Sequence, residues 1–232
     1  MTLSMSAGSL ARSCTQGGRM SFVDWVLGIP AYFRRKPPID TREKLVEFID
    51  TRSAFLIQKN IFDYARARSG PYFSHIIKEA AFKHAVEVSR WSGYPTGLAA
   101  LAELVRGVLF HDADRKPLSD AVSSAALAAF DKYPVPEVLG EETWKKARET
   151  LIERLGLIDS HPPKYAKDVI LPYAQVLYDS QPIHEELRKN DFEMIKAQLR
   201  INMVTMHDEF DSRVNKAALL ADLGVHPRTA TE

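Results

Sequence analysis

Apolar side chains recur at helical spacing along almost the whole chain, and no segment alternates with period two over a useful length. The pattern is clearest after "KPPIDTREKL", where Pro37 and Pro38 stop anything that precedes. Asp40 is placed to cap a helix, and Glu43 stands three residues on, as in a capping box. Leu45, Phe48, Ile49, Phe55, Leu56 and Phe62 then form one stripe, and Gly70-Pro71 should end the helix near Arg68. A second helix is expected from about Phe73 to Trp91, with Phe73, Ile77, Ala80, His84, Val88 and Trp91 on one face. "SGYP" (Ser92 to Pro95) should break it before a third, from about Thr96 to Phe110, whose Leu, Ala and Val content implies burial on more than one side.

Pro117 suits the first turn of a fourth helix, about Leu118 to Lys132. A fifth carries Trp144, Leu151 and Leu155, with Gly156 as its expected C-cap. A sixth, about Tyr165 to Tyr178, contains Pro172 and should kink or split there. The last long helix runs from about Asp191 to Lys216, and "AALLADLG" closes the chain as a short apolar turn. The expected fold is therefore all-α: a single compact bundle of about seven or eight helices spanning residues 21–232, with a possible division into sub-bundles near 134–140. No fixed-period repeat argues for a solenoid.

Composition narrows the function classes. The chain has 232 residues, 45% hydrophobic and 26% charged, as in globular proteins. Its 31 basic and 30 acidic side chains nearly balance, which argues against broad nucleic-acid binding. The one cysteine, Cys14, excludes an intrachain disulfide and a cysteine zinc cluster. No apolar run is long enough for a transmembrane helix, so the expected location is the cytoplasm. Residues 1–20 read as a disordered tail or as the product of an early start codon, with Met20 the real beginning. The stretch "SFVDWVLGIPAYFRRK" differs from the rest. Trp25, Tyr32 and Phe33 supply interfacial aromatics, and Arg34, Arg35 and Lys36 follow at once, so it suits either a membrane surface or docking on the bundle as a first helix.

Catalytic signatures are largely missing. The sequence has no G-x-S-x-G, no G-x-G-x-x-G, no G-x-x-x-x-G-K-[ST], no H-E-x-x-H and no Glu-x-x-His pair. What remains is "KHAVEVSRW … LAELVRGVLFHDADRK", Lys83 to Lys116, which resembles the HD-domain phosphohydrolases. The resemblance implies His84, His111 and Asp112 as ligands to a divalent metal, with Lys116 near a phosphate and a distal acid chosen among Asp131, Asp168 and Asp179. The residues after His111-Asp112 are Ala113-Asp114 where that family usually has Ile-Gly. The competing reading makes His84 a residue of its apolar stripe and His111 a helix-terminal cation.

Two other clusters carry polar chemistry. In "HPPKYAKD", Lys164 and Lys167 stand around a proline turn before a helix and form a candidate anion site, with His161 and Asp168 beside them. In "MHDEFDSR", His207 and Asp211 share a helix face. The order "RSAFLIQKN", "EVSRWSGYPTGLA", "SHPPKYAKD" and "MHDEFDSR" along the chain resembles a group of all-helical alphaproteobacterial proteins that carry no assigned catalytic residues and are sometimes labelled esterases. The missing nucleophile motif gives that label no support. The expected function is binding without classical catalytic machinery and without a cofactor. Its partner would be a protein, a small apolar ligand held in the bundle, or a membrane surface; the alternative is the metal-dependent phosphohydrolase.

Overall fold

The computed structural model describes residues 37–226, and every regular element among them is helical. Five helices have sixteen residues or more: α1 (Arg42–Ser69), α3 (Ala80–Leu109), α4 (Arg115–Phe130), α5 (Glu141–Leu157) and α9 (Phe192–Arg213). Short helices connect and close them: α2 (Phe73–Ile76), α6 (Ala166–Val169), α7 (Ala174–Asp179), α8 (Glu185–Arg188) and α10 (Lys216–Asp222). The two longest, α1 and α3, pack against each other, and α4, α5, α6, α7 and α9 all pack against α3. The helices on both sides of the 134–140 loop thus share one support. Leu45, Ile49 and Leu56 of α1 meet Leu98, Leu101 and Val105 of α3 in a fully buried core completed by Val122, Leu199 and Phe210. Ile39 pairs with the chain just after α9: its N–H donates to the Arg213 carbonyl at 2.9 Å, and its carbonyl accepts from Asn215 N–H at 3.0 Å.

Several elements depart from the periodic reading. The cap of α1 is Thr41, whose Oγ1 accepts from the Lys44 N–H at 3.4 Å, whereas Asp40 pairs with the Lys44 ammonium at 2.6 Å. At the other end of α1, Gly70 adopts φ +51°, which favours glycine, and Pro71 follows. Gly156 lies inside α5 rather than capping it. Pro172 does split its segment, into α6, a 3-10 turn at Leu171–Tyr173, and α7.

The largest departure is "SGYP", which does not break anything. A single helix of 30 residues runs through Ser92 to Pro95. Its first half buries Phe82, Val86, Ser89 and Gly93, so Ala80 and His84 of the predicted stripe are exposed, and Ile77 precedes the helix. Proline removes one helical donor, but tertiary packing outweighs that cost. Gly93 and Gly97, four residues apart, lie on one face against α1. A methyl group at Gly93 would stand 3.0 Å from Ile57 Cγ2, and one at Gly97 would stand 3.2 Å from Ser53 Cβ and 3.3 Å from the Ser53 carbonyl. The glycines therefore permit a close crossing of the two longest helices. Because backbone blocks the space at Gly97, Gly97→Val is expected to cost about 1–3 kcal/mol through overpacking, measured by chemical denaturation.

Candidate functional site

The charges of α3 lead to the site. From Leu98 to Leu109 the helix is apolar except for Glu103 and Arg106, three residues apart and so neighbours on one face. Both are buried, at 4% and 1% exposure. Burying a charge is costly unless it is paired and hydrogen-bonded, and the loop after α5 supplies most of the partners. Lys164 Nζ lies 2.8 Å from Glu103 Oε1, His161 Nε2 lies 3.6 Å from the same oxygen, and the Tyr173 hydroxyl donates to Oε2 at 3.0 Å. Burial and the adjoining Glu103 charge raise the Tyr173 hydroxyl pKa, so it stays a donor.

Arg106 donates from Nε to Ser119 Oγ at 3.1 Å, from Nη1 to the His161 carbonyl at 3.3 Å and from Nη2 to Asp159 Oδ1 at 3.3 Å. Its guanidinium also covers the Phe110 ring at 5.2 Å. Burial lowers its pKa, and Asp159 acts in the opposite direction. Arg115 grips the same loop, donating to Asp159 Oδ1 at 2.9 Å and to the Asp159 carbonyl at 2.8 Å. Residues 159–164 are thus fastened to α3 and α4 at both ends.

Held in this way, the loop walls a groove of about 380 Å³ between the C-terminal half of α3, the residues entering α6, and α9. Leu104 and Val169 are buried in its floor, and Val108 and Val204 form its sides. Gly107 opens it: a methyl group there would meet only Pro163 Cβ, at 4.0 Å. Lys164, Lys167 and His207 are the ionisable nitrogen groups of its lining, with Tyr165 between the lysines. Both members of the anion pair predicted from the sequence therefore face one cavity, and His207 joins them from α9. The local reason differs from the expected one. The helix after Tyr165 is a single turn, so its dipole contributes little. His207 Nδ1 pairs with Asp208, 3.1 Å away, rather than with Asp211.

The residues assigned by the phosphohydrolase resemblance do not come together. His84 is exposed near the start of α3, and His111 is exposed just beyond its end. At 1.5 Å per residue, about 37 Å of helix separates His84 from Leu109. The expected break at "SGYP" would have let two helices fold back, and the continuous helix prevents it. Asp112 pairs with Lys216 at 3.0 Å, and Lys116 pairs with Asp120 at 2.6 Å on the surface. The candidate distal acids are also engaged: Asp131 with Arg148 at 2.8 Å, Asp168 with Arg200 at 3.0 Å, and Asp179 with the Gln175 amide at 2.9 Å. Among the described residues, no group of three His, Cys, Asp or Glu side chains is placed to hold a metal ion. Trp25, Tyr32, Phe33, Arg34 and Arg35, like Cys14 and Met20, lie outside the described residues.

A second polar cluster joins α1, α3 and the end of α4. Asp50 Oδ1 accepts from the hydroxyls of Tyr94 at 2.7 Å and Tyr133 at 3.0 Å, and Lys132 reaches Oδ2 at 3.2 Å. Burial, with the Asp50 charge close by, pushes the Tyr133 hydroxyl up to about 12 and raises that of Tyr94 further. Trp91 packs edge-on against both tyrosines and Trp144. The cluster is filled by its own side chains and acts as a tie. Asp50→Ala should therefore cost about 1–3 kcal/mol, read from a denaturant midpoint, because the buried Tyr94 and half-buried Tyr133 hydroxyls lose their carboxylate acceptor.

A wider depression of about 610 Å³ lies between Ala85–Ser92 and Val176–Pro182. Its Ser89, Ser180 and Gln181 side chains donate to carbonyls one helical turn back, and no basic side chain lines it. No protein-family model matches the chain, and no curated protein or solved structure matches it significantly. Among the described residues, no helix is long and apolar enough to cross a membrane.

Proposed function

We propose that this protein acts by binding, without catalysing a reaction, and that its ligand is a small apolar molecule held in the groove between α3, α6 and α9. The observation that carries this reading is the groove itself, with an aliphatic floor of Leu104 and Val169, sides of Val108 and Val204, and a few polar groups at its edge. Small-molecule sites have this composition, and its volume falls within their usual range of roughly 300–1,000 Å³. Support also comes from the buried Glu103 and Arg106, which hold the wall in place before any ligand arrives and so reduce the ordering cost of binding.

The test is a titration of the full chain with the neutral fluorescent probe N-phenyl-1-naphthylamine. A saturable rise in fluorescence at one site per chain is expected. A linear, non-saturating response would refute the reading.

A further inference from the structure

The charges around the groove say more about its occupant than its volume does. Lys164 is compensated by Glu103, 2.8 Å away. Asp168 is compensated by Arg200 at 3.0 Å. The His207 ring stands 3.1 Å from Asp208. Lys167 is different: its ammonium lies 5.9 Å from the centre of the Tyr165 ring, and it forms no ion pair among the described residues. The groove therefore has an aliphatic floor and, at its exposed edge, a Lys167 ammonium that no carboxylate among the described residues pairs with. A neutral alcohol would leave that charge without a counterion, and a doubly charged head group would exceed it. A cationic head would be repelled. The volume of about 380 Å³ lies at the small end of ligand sites, which suits one chain of moderate length.

We infer that the groove takes an alkyl monocarboxylate of medium chain length, its tail against Leu104, Val108, Val169 and Val204 and its carboxylate on Lys167, with a second contact available from Lys164. This rests on the ligand-binding reading above and specifies its ligand class. In this arrangement Glu103 has a role of its own. Its charge holds Lys164 toward the buried side of the groove, so that Lys167 is the ammonium left without a carboxylate partner at the edge. A carboxylate on an ammonium forms a charge-assisted hydrogen bond, stronger than a neutral one. The tail contributes through burial, which corresponds to about a fourfold gain in affinity for each added methylene until the groove is filled.

The experiment is displacement of N-phenyl-1-naphthylamine from the full chain by decanoate, decanol, decylamine and decyl phosphate, with octanoate for chain length. Decanoate is expected to displace the probe at concentrations about two- to fivefold below those needed for decanol, the range for an exposed ion pair. It should exceed octanoate by about tenfold or more, two methylenes apart. Decylamine should be the weakest of the ten-carbon compounds, and decyl phosphate should not surpass decanoate. In Lys167→Gln the ratio between decanoate and decanol should collapse toward one, a readout internal to the variant and independent of any change in overall binding. Equal displacement by decanoate and decanol in the native chain would overturn the monocarboxylate assignment while leaving a ligand-binding groove in place. Tighter binding of decyl phosphate, or an unchanged ratio in Lys167→Gln, would overturn it as well. Failure of the probe itself to bind saturably would remove the groove reading and this inference together.

Discussion

Gly107→Leu is expected to abolish saturable probe binding, a loss of at least a hundredfold, while the protein stays folded. Gly107 lines the groove, and the space above it is empty out to Pro163 Cβ at 4.0 Å. A leucine side chain would project into the volume that the ligand needs. The backbone cost is favourable rather than adverse, because Gly107 sits inside α3 and glycine is a weak helix former. Gly107→Ala should accordingly raise stability by up to about 1 kcal/mol, and Gly107→Leu should keep its helical circular dichroism and melt no earlier than the native chain. A folded Gly107→Leu that still binds the probe with native affinity would show that the ligand does not enter here. The contrast with Gly97 on the same helix is informative: there the Ser53 backbone occupies the space, and an added side chain damages the fold.

Arg106→Ala is expected to destabilise the protein by about 3–5 kcal/mol, the range for emptying a large buried site and breaking a buried network. Arg106 is 1% exposed, and its guanidinium bonds three groups at once: Ser119 of α4, and the His161 carbonyl and Asp159 of the loop after α5. In a body of this size that corresponds to a fall in Tm of roughly 6–20 °C. Arg106→Lys should recover only part of the loss, since one ammonium cannot reproduce donors fixed in a planar fork. Both variants should also weaken probe binding in the surviving folded fraction, because the 159–164 loop loses its anchor. A cost below about 1 kcal/mol for Arg106→Ala would mean that Arg115 and the Lys164–Glu103 pair hold the loop without it.

Much of the fold could be read from periodicity. α1 buries Leu45, Phe48, Ile49, Leu56 and Phe62 of its predicted stripe, α5 buries Trp144, Leu151 and Leu155, and Pro172 divides its segment as the missing donor requires. What could not be read was the effect of tertiary contact on local signals. "SGYPTG" has the residues of a turn, yet its two glycines are used for a close helix crossing, and Tyr94 between them bonds Asp50 on α1. Both partners lie about forty residues away in sequence, so no local rule could identify them. The metal reading of His84 and His111 came from the resemblance to HD-domain phosphohydrolases, and the expected break placed the two on separate helices, whereas one helix runs from Ala80 to Leu109 between them.

The groove was half legible. Lys164 and Lys167 stood out as a basic pair beside a proline turn, but the four-residue α6 after it is too short to supply a dipole, and the site draws instead on α3 and α9. The signal that could have completed it was present in "LAALAELVRGVL". Glu103 and Arg106 are the charges in an otherwise apolar run, and charges on a buried helix require partners from elsewhere in the chain. His207 gave no such signal, because its relation to the lysines depends on how α9 crosses α6.

The central claim is that the cleft beside Gly107 is the binding site, and it is tested most directly by locating a bound ligand. We would titrate the ¹⁵N-labelled full chain with N-phenyl-1-naphthylamine and follow the backbone amides. The account predicts saturable shifts concentrated at Leu104, Gly107, Val108, Lys167, Val169, Val204 and His207. Shifts confined to Ala85–Ser92 and Val176–Pro182, or no saturable shifts around Gly107, would contradict it.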